Sequence, residues 1–143
     1  MKTVQDLLQA KGREVWSVAP DQSVFEALEL MAEKGIGAVL VLERRRVIGI
    51  LSERDYARQV ILKGKASKDT AVREIMTAHL VTVGPERSVE ECMAIMTQRR
   101  VRHLPVMVGD DLLGLLSIGD VVKAVISEKE DHIEQLETYI TRG

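Results

Sequence analysis

Aromatic residues and cysteine are scarce in this chain of 143 residues. One Trp, one Phe and two Tyr make up 3% of the sequence, too few for the stacked side chains that bind single-stranded nucleic acid. A single cysteine, Cys92, excludes an internal disulfide framework. The three histidines, His79, His103 and His132, are not spaced as the ligands of a metal site would be. The composition therefore gives no sign of a disulfide-linked or metal-binding protein.

Strong net charge and long apolar runs are also missing. A net charge of −2 gives no general attraction to nucleic acid or to anionic lipid. The longest apolar runs fall well short of the roughly 18 residues that cross a bilayer, and residues 1–5 are not followed by the apolar stretch of a secretory signal. We expect a cytoplasmic protein without a membrane partner.

One pattern occurs twice in the chain. The string Gly-apolar-apolar-Ser-x-x-Asp spans residues 49–55 and returns 65 residues later at residues 114–120. The same shift aligns Ser17 with Thr82, and no gap is needed from Val15 to Ile61. Repetition on this scale indicates a duplicated structural unit.

Each copy predicts the order strand–helix–strand–strand–helix, an α/β (α+β) fold. A right-handed crossover makes the first two strands parallel, while the second and third form an antiparallel hairpin. A copy of about 50–60 residues is marginal alone. We therefore expect two copies to cover each other about a pseudo-twofold axis, with ligand sites in the grooves between them.

The patterns also predict the boundaries of the segments. We expect an N-terminal helix at 1–13, repeats at 14–63 and 77–127, a linker with a short helix at 64–76, and a C-terminal helix at 128–143. The first repeat should open with a strand at residues 14–18.

Apolar spacing and capping residues locate the helices more closely. The N-terminal helix, with Val4, Leu7 and Leu8 on one face, ends at Lys11-Gly12 and should lie across the repeat that follows. Two N-caps are expected, Ser23 in a capping box with Glu26, and Thr70 before the linker helix. A further helical face from Ser52 comprises Tyr56, Ala57, Val60 and Ile61.

The C-terminal helix carries an apolar stripe. Its members are Ile133, Leu136, Tyr139 and Ile140. Two packing arrangements are open, one against the protein's own domain and one against a second subunit.

The repeated string has the chemistry of a nucleotide site. The hydroxyls of Ser52 and Ser117, with the N–H groups of a helix start, can donate to phosphate. The carboxylates of Asp55 and Asp120 can only accept, which suits ribose hydroxyls. The alternative is that each Ser–Asp pair only caps its helix.

Neighbouring side chains add further candidates. His103 can stack on or hydrogen-bond a base or phosphate, or be a satisfied histidine near a strand edge. Arg102 can neutralise a phosphate or be a surface arginine. Arg54 has Gly119 as its counterpart, so the first site is expected to prefer a more highly charged ligand.

Catalytic patterns are missing from the sequence. No nucleophile has an adjacent base, and no Walker A string occurs. Cys92 aligns with Ala27 on a buried helical face, which predicts a core role. The sequence therefore predicts a protein that is not an enzyme and needs no catalytic cofactor.

The two repeats resemble a tandem pair of CBS domains over about residues 10–127. The resemblance rests on the Ser/Thr-Val-x-Pro openings, on His103-Leu104-Pro105-Val106 and on both Gly-h-h-Ser-x-x-Asp strings. It extends to bacterial stand-alone CBS-pair proteins. One departure is Leu40, which stands where the second repeat has Pro105.

The resemblance implies an adenosine ligand: AMP, ADP, ATP, NAD(H) or S-adenosylmethionine. It implies that Asp55 and Asp120 hold the ribose and that Ser52 and Ser117 reach phosphate. The base pocket would be lined by Ser17, Gly37, Ala38, Thr82, Arg102, His103 and Pro105. It also implies a flat homodimer.

Three functions follow as hypotheses. The favoured one is a regulatory nucleotide sensor that signals to a separate partner protein. The second is a ligand-free dimerisation or interaction module. The third, an enzyme or nucleic-acid binder, is supported only by the arginine clusters at 44–46 and 99–102.

Overall fold

A computed structural model describes residues 2–142, which form two compact units. The first unit comprises residues 14–80, and the second comprises residues 2–13 and 81–142. In chain order the elements are α1 (Val4–Lys11), β1 (Ser17–Val18), α2 (Val24–Lys34), β2 (Ala38–Glu43), β3 (Arg46–Ser52), α3 (Glu53–Tyr56), a π-helical turn (Ala57–Ile61), a 3-10 turn (Ser67–Asp69), α4 (Val72–Ile75), α5 (Val89–Arg99), β4 (His103–Val108), β5 (Asp111–Ser117) and α6 (Ile118–Arg142).

The first unit contains the predicted mixed sheet. Strand β1 runs parallel to β2, with Ser17 opposite Leu40, and β2 pairs antiparallel with β3, with Ala38 opposite Ser52. The crossover helix α2 begins at the N-cap Ser23 and ends at Gly35, whose φ of 64° is left-handed. The predicted mixed α/β fold is confirmed, although the first strand is shorter than predicted.

The second unit repeats the hairpin but not the full first strand. Strands β4 and β5 pair antiparallel, and the segment before α5 contributes one isolated parallel bridge, from Val83 to Val106. In the first unit the N–H of Leu40 donates to the carbonyl of Trp16 at 3.1 Å. Pro105 occupies the equivalent position and has no N–H, so the second unit lacks a donor for that bond.

The N-terminal helix packs on the second repeat, not on the repeat that follows it. The N–H of Val4 donates to the carbonyl of Arg87 at 2.8 Å, and the N–H of Val89 donates to the carbonyl of Lys2 at 3.0 Å. Leu8 is 1% exposed and packs against Gly114. The predicted placement of this helix was wrong because its apolar face fits either repeat and its sequence position does not decide which.

Helix α4 completes the first repeat in the same way. The N–H of Val72 donates to the carbonyl of Gln22, and the N–H of Val24 donates to the carbonyl of Thr70, both at 2.8 Å. Isolated bridges join Ala71 to Ser23 in one unit and Thr3 to Ser88 in the other. Each repeat is therefore completed by the helix that precedes the other repeat in the chain.

The structure corrects several local predictions. Thr70 does not cap α4, since its hydroxyl donates to the carbonyl of Ala66, and Ala71 is the N-cap. Ser23 caps α2, but Glu26 accepts from the Ser23 hydroxyl rather than from its backbone N–H. Ala57 and Ile61 do not share the buried face of Val60: both lie in the π-helical turn and are exposed, Ile61 by 55%.

The last helix is continuous from Ile118 to Arg142, so the segment predicted as a separate helix at 128–143 is its second half, up to the described limit. Its apolar stripe is exposed: Ile133 by 54%, Leu136 by 49%, Tyr139 by 78% and Ile140 by 74%. The alternative in which these side chains pack on their own domain is therefore wrong. Within residues 2–142, no helix combines the length and the apolar character needed to cross a membrane.

Candidate functional site

The first copy of the string forms a cap at the start of α3. The Oγ of Ser52 accepts from the N–H of Asp55 at 3.1 Å. In return, Oδ2 of Asp55 accepts from the backbone N–H of Ser52 at 2.9 Å and from its hydroxyl at 3.0 Å. Both side chains are half-buried. The capping role is real, and it fills only part of the roughly four acceptor positions of a carboxylate.

The start of strand β2 closes against the same helix start. The N–H of Glu53 donates to the carbonyl of Gly37 at 3.0 Å, and Ala38 is paired with Ser52 in the sheet. Four of the predicted site residues, Gly37, Ala38, Ser52 and Asp55, therefore lie together.

The second copy repeats this geometry at the start of α6. The N–H of Ser117 donates to Oδ2 of Asp120 at 2.8 Å, and the N–H of Asp120 donates to the Ser117 Oγ at 3.2 Å. The N–H of Ile118 donates to the carbonyl of Arg102 at 2.8 Å, and His103 is paired with Ser117. The second unit therefore also brings its predicted residues together.

One charged residue at this site was not predicted. The ammonium of Lys11, in the last turn of α1, lies 2.5 Å from Oδ2 of Asp120 and 2.7 Å from the carbonyl of Leu115. Burial raises the pKa of Asp120, but the hydrogen bonds from Lys11 and Ser117 outweigh it, so the pKa is lowered from 3.8. In the sequence, Lys11 is recognisable only as part of the helix stop signal Lys11-Gly12. Its role depends on α1 packing on the second repeat.

The remaining predicted residues lie on the strands and helix starts around the two strings. Ser17 is exposed on β1, and Thr82 is exposed next to the bridge at Val83. Pro105 is buried in β4, opposite Leu115. No hydrogen bond described here joins these three side chains to the Ser–Asp pairs, so their place in a base pocket stays a prediction.

The arginines that the sequence singles out lie at different places in the fold. Arg54 is exposed at the second position of α3, and the side chain of Arg102 is exposed before β4. The cluster at 44–46 lies at the β2–β3 turn, where Arg44 and Arg45 have φ values of 52° and 67°. All three arginines of this cluster are exposed.

Cys92 is fully buried on α5, as predicted. Burial, with a smaller contribution from the charge of Glu91, raises the pKa of its thiol to about 11. The thiol therefore stays protonated at neutral pH and is a poor nucleophile.

Comparison with known proteins now identifies the family. The family model for the CBS domain matches the chain twice, over residues 4–61 and 72–127. The chain belongs to the CBS domain family. The two matches correspond to the two repeats, so this protein is a CBS pair, a regulatory module.

Similar proteins cover most of the CBS pair. The mitochondrial CBS domain-containing protein CBSX3 of Arabidopsis thaliana is 38% identical, over 99% of this chain and 73% of its own. The structure of a putative signal-transduction protein with CBS domains from Burkholderia ambifaria is 51% identical, with a TM-score of 0.85, over 88% of this chain and 95% of its own. A hexameric CBS-CP12 protein from bloom-forming cyanobacteria is 31% identical, with a TM-score of 0.80, over 96% of this chain and 83% of its own.

Proposed function

We propose that this CBS pair is a regulatory sensor that binds an adenosine nucleotide at the Ser52–Asp55 and Ser117–Asp120 sites. The ligand class is AMP, ADP, ATP, NAD(H) or S-adenosylmethionine. The observation that carries the proposal is that two repeats build the same half-buried Ser–Asp pair beside the start of a middle strand.

The chemistry of this arrangement suits a nucleoside with an anionic tail. A half-buried carboxylate accepts hydrogen bonds from ribose hydroxyls and repels phosphate. The serine hydroxyl and the helix start, which carries a partial positive charge, favour phosphate instead. Sugar and phosphate would therefore bind to neighbouring but different groups of the same site.

A thermal-shift measurement with matched variants tests this proposal. AMP should raise the melting temperature of the wild-type protein, with a gain of about 2.7 kcal/mol at 100 times Kd. Asp55→Ala and Asp120→Ala should each reduce that shift. Asp6→Ala is the control, because Asp6 makes the same capping box with Thr3 at the start of α1, outside both strings.

The outcomes separate binding from capping. If Asp55→Ala and Asp120→Ala lower stability equally with and without AMP, the two pairs are caps only. Mass spectrometry of the purified protein should also detect a bound nucleotide. No melting shift with any adenosine compound, together with no co-purifying nucleotide, would contradict the proposed function.

The exposed stripe of α6 supports a role in assembly. Ile126, Ile133 and Ile140 recur every seven residues, and Leu136 lies between the last two, a spacing typical of a coiled-coil seam. We propose that this stripe contacts a second copy of the chain in a homodimer or larger homo-oligomer, and the cyanobacterial relative is described as hexameric. Leu136→Glu should then lower the molar mass measured by light scattering.

The stripe also favours a second candidate function, an interaction module that needs no ligand. In either case the output is a contact with a regulated protein in trans. We propose a cytoplasmic location, supported by the single buried thiol, while one relative is named as mitochondrial. We also propose that the module has no catalytic activity of its own.

A further inference from the structure

The two aspartates have different partners although their caps are alike. The hydrogen bonds described at the Asp55 carboxylate come from the backbone N–H and the hydroxyl of Ser52. Asp120 receives one from the N–H of Ser117 and one from the ammonium of Lys11, which carries the opposite charge. The side chains of Lys11 and Asp120 are partly exposed, by 38% and 26%, so a ligand can reach this ion pair.

The difference arises from the helices that complete the repeats. Thr3 in one unit corresponds to Ala71 in the other, since both pair with the serine that caps the crossover helix. The same shift of 68 residues, which aligns Thr3 with Ala71, aligns Lys11 with His79. Helix α4 already ends at Ile75, whereas α1 continues through Lys11.

We propose that Lys11 is an internal competitor for the ligand of the second repeat. A ribose hydroxyl and the Lys11 ammonium both donate to a charged acceptor, but only the ammonium adds the attraction of an opposite charge. Nucleotide binding at Asp120 therefore requires Lys11 to move from the carboxylate or to share it. The first repeat has His79 in place of Lys11, so it lacks the equivalent ammonium and binds nucleotide more tightly. This inference rests on the proposed nucleotide-binding function.

The anchoring of Lys11 explains why it does not simply turn away. Its ammonium bonds both Asp120 and the carbonyl of Leu115, the residue before Leu116 in β5. Both partners belong to the string that would hold the ligand. Lysine has a flexible stem with three rotatable donors, so release is possible, but it gives up two hydrogen bonds at once.

Calorimetric titration with AMP in two backgrounds isolates the effect. Asp55→Ala leaves the second repeat as the intact site, and Asp120→Ala leaves the first. Adding Lys11→Met to the Asp55→Ala background should tighten AMP binding by about two- to fivefold, the range of a partly exposed ion pair. The same change in the Asp120→Ala background should leave the AMP affinity unaltered.

Lys2→Met is the matched control in both backgrounds. Its ammonium bonds the Ser127 hydroxyl in the same unit and does not contact Asp120. The inference is overturned if AMP binds but Lys11→Met leaves the second repeat's affinity unchanged, or weakens it, which would make Lys11 a ligand-binding residue. If neither the wild type nor the single variants bind AMP or any of the other adenosine ligands named above, the proposed function fails and the inference falls with it.

Discussion

Helix α4, which completes the first repeat, is one turn long, whereas α1, which completes the second, is two turns long and extends to Lys11. Both helices enter their repeats through equivalent backbone hydrogen bonds. The two segments differ in the side chains that come after these hydrogen bonds along the chain. Leu8 is fully buried, while its counterpart Met76 is half-buried.

This comparison shows which features the duplication fixes and which it leaves variable. The Ser–Asp caps and the carbonyls of Gly37 and Arg102 have the same geometry in both repeats, because they are set by short-range backbone structure. The completing helices come from different parts of the chain and carry different residues. Differences between the two sites therefore arise outside the repeated string.

The largest expected difference between the repeats follows from Leu8. Leu8→Ala removes a side chain that is 1% exposed and should lower the free energy of unfolding by about 2–5 kcal/mol. Met76→Ala, the matched change in the first unit, should cost less than about 2 kcal/mol because Met76 is half-buried. Urea denaturation measures both.

Hydrogen exchange locates the effect of Leu8→Ala. Protection should fall in α5 and in the hairpin of β4 and β5, which belong to the same unit. A loss of protection concentrated in residues 14–80 would show instead that α1 supports the first repeat. If Leu8→Ala and Met76→Ala lowered the free energy of unfolding equally, the proposed difference between α1 and α4 would be contradicted.

A smaller difference is expected at the two glycines of the repeated string. A Cβ at Gly49 would lie 3.1 Å from the carbonyl oxygen of Thr77, which is held by the N–H of Ile50. A Cβ at Gly114 would meet only side-chain atoms of Leu8, the nearest a methyl carbon at 2.6 Å, and a side-chain end shifts more readily than a hydrogen-bonded backbone carbonyl. Gly49→Ala should therefore destabilise by about 1–3 kcal/mol, and Gly114→Ala by less.

Gly37→Ala is the control for this pair. A Cβ there meets nothing within 4 Å, and its φ is not positive. Its effect on stability should be neutral or slightly favourable. The interpretation fails if Gly114→Ala proves the more damaging of the two in urea denaturation.

The repeated site was predictable because its determinants are local. Ser52 and Asp55 are three residues apart, and a spacing of three is what a capping box needs. The parallel and antiparallel strand pairs followed from the order of the elements. The role of Lys11 was not predictable in this way, since it lies 109 residues from Asp120 along the chain.

A signal for the placement of α1 was nevertheless present in the sequence. Val4, Leu7 and Leu8 have the same spacing as Val72, Ile75 and Met76, 68 residues later rather than 65. Aligning these two short segments would have indicated equivalent helices. The cap at Ala71 had no such signal, because alanine has no side-chain acceptor and the first turn is supported by Glu74 instead.

The ends of the crossover helices predict a still smaller contrast. Gly35 ends α2 with a φ of 64°, and Arg100 ends α5 with a φ of 55°. A side chain in this left-handed region costs about 1 kcal/mol relative to glycine. Arg100→Gly should therefore stabilise the protein by up to about 1 kcal/mol, and Gly35→Ala should destabilise it by a similar amount. Both variants can be measured by thermal or urea denaturation. If Arg100→Gly and Gly35→Ala both raised, or both lowered, the free energy of unfolding, this explanation would be contradicted.

The smallest expected effect concerns the pH dependence of the Lys11–Asp120 pair. The pKa of Asp120 is lowered in the folded state from 3.8, so its contribution to stability is complete above about pH 4 and is lost as the pH falls further. Lys11→Met should cost about 0.5 kcal/mol between pH 5 and 8, since the pair is partly exposed. The difference in unfolding free energy between Lys11→Met and the wild type should shrink below pH 4 and in high salt. Lys2→Met should show less narrowing, because its hydrogen-bond partner Ser127 does not titrate and its charge acts only weakly on the carboxylate of Asp6. A gap between wild type and Lys11→Met that stays constant down to pH 2 would mean that Lys11 acts through the Leu115 carbonyl or through packing, and not through the charge of Asp120.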